Sequence, residues 1–150
     1  MQDFSLPATG NTTFTWQNAR GKKLVVYFYP KDDTPGCTTE GRDFSALYAE
    51  FTQLNTEIIG ISRDSVASHE AFKAKLSLPF ALLADTDETV CRLFDVIKPK
   101  MMYGKEVMGV QRSTFLFDEV GQLMKEWRGI SSTAHAQLVL DTLKTLLEHN

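Results

Sequence analysis

A chain of 150 residues is long enough for one ordinary domain and too short for two, and 43% hydrophobic against 23% charged residues is the balance of a folded protein rather than a disordered one. Sixteen basic residues against 19 acidic ones leave a net charge of −3 with no Lys/Arg run, which excludes a nucleic-acid or anionic-membrane surface as the natural partner. No segment approaches the ~20 apolar residues of a membrane span. The opening MQDFSLPATG lacks the basic-then-apolar pattern of a leader, so the expectation is a cytoplasmic protein with one domain over 1–150. Two cysteines, Cys37 and Cys91, are too few for a disulfide scaffold and point to chemistry rather than architecture.

After a lead-in containing Pro, Gly and Thr, the β-branched and aromatic run Lys23 to Tyr29 reads as a buried strand that Pro30 stops. Between Thr38 and Leu54, apolar residues at Phe44, Leu47, Tyr48, Phe51 and Leu54 keep to one helical face. Glu57 to Ser62 is a second strand, followed by a helix from about Ser65, its capping serine, to Leu76. Phe80 to Ala84 is a third strand, and Asp85-Thr86-Asp87 caps a short helix carrying Val90, Cys91, Leu93 and Phe94. Ile97 to Gln111, rich in Gly, Lys and Met, reads as a loop. Ser113 to Asp118 and Leu123 to Trp127 form a hairpin across Glu119 to Gln122, and a helix from about Thr133 lines up Ala136, Val139, Leu140, Leu143, Leu146 and Leu147. Alternating strands and helices with a terminal hairpin and helix predict an α/β fold: a mixed, partly parallel sheet flanked by helices.

The chemistry concentrates in Pro30-Lys31-Asp32-Asp33-Thr34-Pro35-Gly36-Cys37-Thr38-Thr39-Glu40, between a buried strand and an amphipathic helix. Thr34 suits an N-cap and Pro35 a first helical position, which places Gly36 and Cys37 in the first turn. Backbone N–H groups there have no intrahelical partners and favour a thiolate and a developing negative charge. Gly36 leaves room for a small molecule to approach them. On the residues alone, a second reading stands beside this one: Thr-Pro-Gly as an ordinary turn and Cys37 as a small buried hydrophobe.

The string P-x-x-x-T-x-x-C, met by Pro30, Thr34 and Cys37, resembles the peroxiredoxin active-site signature. The wider phrase FYPKDDTPGCTTE is similar to the Q-type branch, also called bacterioferritin comigratory proteins, and Arg112 in QRSTFLFD stands where that family places its active-site arginine. The likeness runs along nearly the whole chain. It implies a thioredoxin-like fold and a thiol peroxidase with no cofactor and no metal. Cys37 would attack a peroxide to give sulfenic acid, and Arg112 would stabilise the thiolate and the leaving oxygen. The Thr34 hydroxyl would steer the peroxide, Pro30 would shield the sulfur from water, Glu40 would orient Arg112, and the Gly36 and Cys37 amides would complete the substrate site. Peroxide is then the substrate, and thioredoxin, glutaredoxin or glutathione the reductant of an expected monomer.

The chain departs from the branch in its second thiol. Arg42 holds the usual resolving position five residues after Cys37, and Ser68 to Leu76, the second placement known for the branch, has no cysteine. Cys91 is therefore the only internal candidate for a resolving cysteine, against a preferred reading as a buried core thiol that leaves recycling to an external thiol. His69, His135 and His149 lack metal-like spacing and read as solvated, and Met101, Met102 and Met108 read as ordinary packing rather than a substrate entrance. The absence of C-x-x-C argues against a disulfide oxidoreductase. A non-catalytic thioredoxin-fold binding module with an incidental cysteine is the contrasting function; rapid peroxide consumption separates the two.

Overall fold

The computed structural model describes residues 3–148. It begins with two short strands, β1 (Ser5–Ala8) and β2 (Thr12–Thr15), and a 3-10 turn over Trp16–Ala19. Then come β3 (Lys23–Phe28), α1 (Pro35–Gln53), β4 (Thr56–Ser62), α2 (Val66–Leu76), β5 (Ala81–Ala84) and the short α3 (Thr89–Leu93). A hairpin of β6 (Ile97–Met102) and β7 (Lys105–Val110) leads into β8 (Ser113–Phe117), β9 (Leu123–Arg128) and α4 (His135–Glu148).

Seven strands form one sheet in the order β2-β1-β5-β4-β3-β8-β9, parallel across β5-β4-β3 and antiparallel on either side. This is the mixed, helix-flanked sheet of the thioredoxin-like fold. All six residues of β3 are buried because helices or chain cover both faces, and alternate residues feed two separate cores. Leu24, Val26 and Phe28 pack on one face with Phe4, Trp16, Val90, Cys91 and Phe94. Val25, Tyr27 and Tyr29 pack on the other with Cys37, Phe44 and Phe51 of α1, Phe72 of α2, and Val139 and Leu140 of α4. The ring of Phe44 stacks on Tyr27 at 4.8 Å, pinning α1 to the central strand two turns below Cys37.

The sequence reading misses two strand pairs. Ile97 to Gln111 is not a loop but the β6–β7 hairpin, which pairs only with itself and is mostly exposed, so no burial-driven alternation marks it. Its turn is Tyr103-Gly104, both at positive φ (53° and 79°), and tyrosine disguises a geometry usually announced by Asn or Asp. Met101, Met102 and Met108 do not pack as expected; they are exposed along this hairpin. The N-terminal lead-in is the β1–β2 pair on the sheet edge, too short to show a period. The α3 helix is capped as anticipated by Asp85, whose carboxylate accepts from the Val90 and Cys91 amides at 3.1 and 2.6 Å, while Glu88 occupies the cap position itself.

Phe44→Ala should cost about 3–5 kcal/mol, the usual range for deleting a fully buried phenyl, read as a lower urea midpoint with unchanged m-value. A loss under 1 kcal/mol would mean that α1 is held to the sheet by something other than this stack.

Candidate active site

The sharp end of β3 and the start of α1 build the site. Thr34 takes the N-cap position with extended backbone and Pro35 opens the helix, so Gly36 and Cys37 lie in the first turn. Cys37 is only 2% exposed. The strand register Phe28↔Ser113 sets Arg112, the residue before β8, beside this turn. Its Nη2 donates to Cys37 Sγ at 3.4 Å, and its Nη1 donates to Glu40 Oε1 at 2.5 Å. Cys37 and Glu40, three apart on α1, share a face and therefore share one guanidinium. A Cβ on Gly36 would lie 3.1 Å from Arg112 Nη2 and 3.4 Å from Ser132 Oγ, so glycine is what lets Arg112 lie flat against the helix start.

Glu40 is fully buried, and its second oxygen, Oε2, has no hydrogen-bond partner among the described residues. Burial pushes its carboxyl up to about 7, against the opposing pull of Arg112. Arg112 itself is held above its ordinary value: burial works against its charge, and Glu40 and Cys37 outweigh it. His135 is buried, with Nε2 2.9 Å from Thr114 Oγ1; burial and the nearby Arg112 charge bring it down to about 4. It is thus a neutral packing histidine, not the solvated one expected.

Two other expectations change. Thr34 makes no side-chain cap bond; its hydroxyl donates to the Lys31 carbonyl at 2.8 Å, leaving its lone pairs free to accept. His69 is not solvated either. It is completely buried on α2, with Nε2 donating to the Leu83 carbonyl at 2.9 Å and Nδ1 2.7 Å from Asp32 Oδ2. Asp32, Asp64 and His69 bring potential ligand atoms within 4.8 Å of one another, and hydrogen bonds occupy them. His149 lies outside the described residues. Pro30 is half-buried at the end of β3. Ser132 and Asp32 are the neighbours that sequence reasoning missed. A buried aspartate in the loop after β3 carries no motif, and Ser132 meets Gly36 only through the fold.

Cys91 packs in the core on the opposite face of the sheet from Cys37. Burial, reinforced by the neighbouring Asp85 carboxylate, pushes its thiol far above the ordinary range. That makes it a weak nucleophile behind a β-sheet.

Residues 1–125 match the AhpC/TSA family. The chain is 52% identical over 142 residues to peroxiredoxin Bcp of Xanthomonas campestris, covering 95% of this chain and 89% of that protein. It is 46% identical over 146 residues to peroxiredoxin Bcp of Bacillus subtilis, covering 97% and 93%. A solved structure of the Xanthomonas campestris bacterioferritin comigratory protein, concerned with its alkyl peroxide reduction activity, superposes with a TM-score of 0.90 at 51% identity over 95% of this chain and 90% of that one. A cysteine-to-serine variant of Xylella fastidiosa PrxQ gives 0.92 at 43% identity over 96% and 89%.

The Glu40 environment predicts a pH dependence of stability. The folded protein keeps the Glu40 proton up to about pH 7, whereas an unfolded chain releases it near 4.5. The folded state therefore binds more protons across that window, and stability is lost as pH rises through it. In Glu40→Gln this loss disappears, so wild-type stability should fall relative to the variant by on the order of 2–3 kcal/mol between about pH 5 and 7.5. Urea titrations at stepped pH measure it; a flat difference would show that Glu40 stays ionised throughout.

Proposed function

This chain belongs to the AhpC/TSA family and is a thiol-dependent peroxidase, and we propose that Cys37 is its peroxide-attacking nucleophile. The observation that carries this reading is the Arg112 guanidinium placed between Cys37 Sγ and the buried Glu40 carboxylate. A permanent cation there stabilises the thiolate in the resting enzyme and the charge that grows on the departing oxygen. For Cys91, burial and the adjacent Asp85 carboxylate push the thiol up and outweigh the pull of Arg63.

In the proposed reaction the Cys37 thiolate attacks the terminal peroxide oxygen in line. The S–O bond forms as the O–O bond breaks, and the leaving hydroxide or alkoxide takes up a proton to become water or an alcohol. The amides of Gly36 and Cys37 at the helix start hold the peroxide oxygens. The Thr34 hydroxyl, whose own proton is committed to Lys31, accepts the peroxide proton and so orients the molecule. Pro30 screens the sulfur from water, and Glu40 fixes the plane of Arg112. Hydrogen peroxide and organic hydroperoxides are the proposed substrates, the latter supported by the alkyl peroxide reduction studied in the Xanthomonas campestris relative.

The cycle closes with an external thiol, because Cys91 is packed on the far side of the sheet. Thioredoxin, glutaredoxin or glutathione would attack the sulfenic sulfur, release water to form a mixed disulfide, and yield to a second thiol. We assign this cycle to a monomer whose residues 1–150 act as one domain, in the cytoplasm where such reductants are kept reduced. No helix among the described residues is long and apolar enough to cross a membrane.

Cys37→Ser should abolish turnover, since a hydroxyl does not ionise near neutral pH. Arg112→Ala should lower kcat/KM for peroxide roughly 10²–10³-fold, the loss expected for one strong charge-stabilising donor. Both are read by following peroxide consumption with excess reductant. Intact mass after one equivalent of peroxide should show one added oxygen on Cys37, unchanged in Cys91→Ser. A dominant Cys37–Cys91 disulfide would instead make Cys91 the resolving cysteine, and substantial activity in Cys37→Ser would end the assignment.

A further inference from the structure

Gly36 leaves a notch in the wall of the site. A Cβ added there would sit 3.1 Å from Arg112 Nη2 and 3.4 Å from Ser132 Oγ, and no other side chain comes as near. Both groups can donate, and hydrogen bonds to oxygen from a guanidinium or a hydroxyl run at about 2.7–2.9 Å. An oxygen atom seated in the notch therefore reaches both donors after a shift of about half an ångström. The same Nη2 donates to Cys37 Sγ at 3.4 Å, so the notch adjoins the nucleophile. On the inner side, Cys37 and Glu40 are buried and close the space; Gly36 and Ser132 are half-buried, so the notch opens to solvent between these two.

Ser132 belongs to the connection between β9 and α4, and two ties fasten that connection to the stretch of chain that carries Arg112. The Ile130 amide donates to the Arg112 carbonyl at 3.1 Å. Beyond Ser132, the buried His135 ring lies 2.9 Å from Thr114 Oγ1 of β8 and stands edge-on to Trp127 and Phe44, with centroids 5.7 and 6.2 Å away. One tie on each side of Ser132 holds its hydroxyl in a fixed relation to the guanidinium. Ser131 Oγ is occupied, accepting from the Thr133 amide at 3.2 Å, whereas no hydrogen bond among the described residues engages the Ser132 hydroxyl. It is a placed donor with no partner inside the protein.

We propose that Ser132 is a further residue of the peroxide site: with Arg112 Nη2 it donates to the leaving oxygen seated in the Gly36 notch, and its small size decides which substituents that oxygen can carry. The inference rests on the assignment of Cys37 as nucleophile. Thiolate and hydroperoxide give sulfenic acid and an alkoxide as the S–O bond forms and the O–O bond breaks; solvent protonates the alkoxide, and Ser132 lends it a hydrogen bond without giving up its proton. In an organic hydroperoxide the carbon is attached to the leaving oxygen. With the inner side closed by Cys37 and Glu40, that carbon leaves over Gly36 and past Ser132, so a larger side chain at 132 narrows the exit for organic substrates and leaves hydrogen peroxide, which has no substituent, unobstructed.

Three substitutions, read in single-turnover oxidation of the reduced protein by hydrogen peroxide and by cumene hydroperoxide, separate the hydroxyl from the volume. Ser132→Ala should slow both peroxides about three- to tenfold, the worth of one neutral hydrogen bond. Ser132→Thr keeps the hydroxyl and should hold hydrogen peroxide within about twofold of wild type. Ser132→Val should match Ser132→Ala with hydrogen peroxide but slow cumene hydroperoxide by a further factor of roughly 30, as overfilling a tight space does. The pH profile of Cys37 alkylation by iodoacetamide should be the same in all three, because Ser132 acts on the departing oxygen and not on the thiolate. Ser132→Ala indistinguishable from wild type with hydrogen peroxide, Ser132→Val slowing the two peroxides equally, or an alkylation profile that moves with the substitutions would each overturn the assignment, the last by showing that Ser132 merely holds Arg112 in place. Ser132→Thr differs from wild type by one methyl group and keeps the test intact if Ser132→Val does not fold. Failure of the Cys37 reading is distinguishable, because it shows as retained turnover in Cys37→Ser whatever occupies position 132.

Discussion

One guanidinium with two claimants governs the site. Arg112 donates to the sulfur of Cys37 and to one oxygen of Glu40, both of them buried away from water. A single buried cation neutralises one negative charge well and two poorly. Burial pushes the Glu40 carboxyl up to about 7 despite the ion pair, and its Oε2 has no hydrogen-bond partner among the described residues. As Glu40 takes up its proton around neutral pH, more of the positive charge of Arg112 is left for the sulfur. In the proposed reaction, that is the arrangement under which a thiolate is worth most to the enzyme.

The rest of the fold exists to make that triangle reproducible. Arg112 immediately precedes β8, the strand paired antiparallel with β3, and a slip of one residue in that pairing would carry it away from the start of α1. Cys37 and Glu40 are brought together by helix pitch alone, with the helix starting at Pro35, and glycine at position 36 keeps a Cβ from crowding Arg112. The Phe44–Tyr27 stack then fixes the angle of α1 over β3. Each constraint is local, and together they place three side chains from two distant parts of the chain within hydrogen-bonding distance.

Much of this was legible in the sequence because it rests on period and punctuation. The β3 run, buried on both faces, reads as an unbroken apolar strand, and the apolar faces of α1 and α4 recur at helical spacing. Thr34-Pro35-Gly36-Cys37 announces a helix start with a thiol in it. The β6–β7 hairpin was not legible, since strands exposed on both faces need no alternation and a tyrosine stood in its turn. The buried histidines were misread for a different reason: polarity suggested solvent, while their partners, Asp32 for His69 and Thr114 for His135, are contributed by other elements. For His69 a signal was present. It lies three residues before Phe72, on the face that α2 buries, and a histidine there must have its ring nitrogens satisfied from elsewhere.

The position of the two thiols relative to the sheet decides what kind of cycle the molecule can run. Alternation along β3 sends Cys37 to one core and Cys91 to the other, so a disulfide between them would need Cα atoms that now flank a β-sheet to come within about 7 Å. Moving Cys91 would empty the core that contains Phe94 and Trp16, and moving Cys37 would vacate its own place in the core beside Tyr27 and Phe44. In the proposed cycle the second thiol therefore comes from outside the chain, because bringing Cys91 to Cys37 would mean dismantling the core on the far face of the sheet.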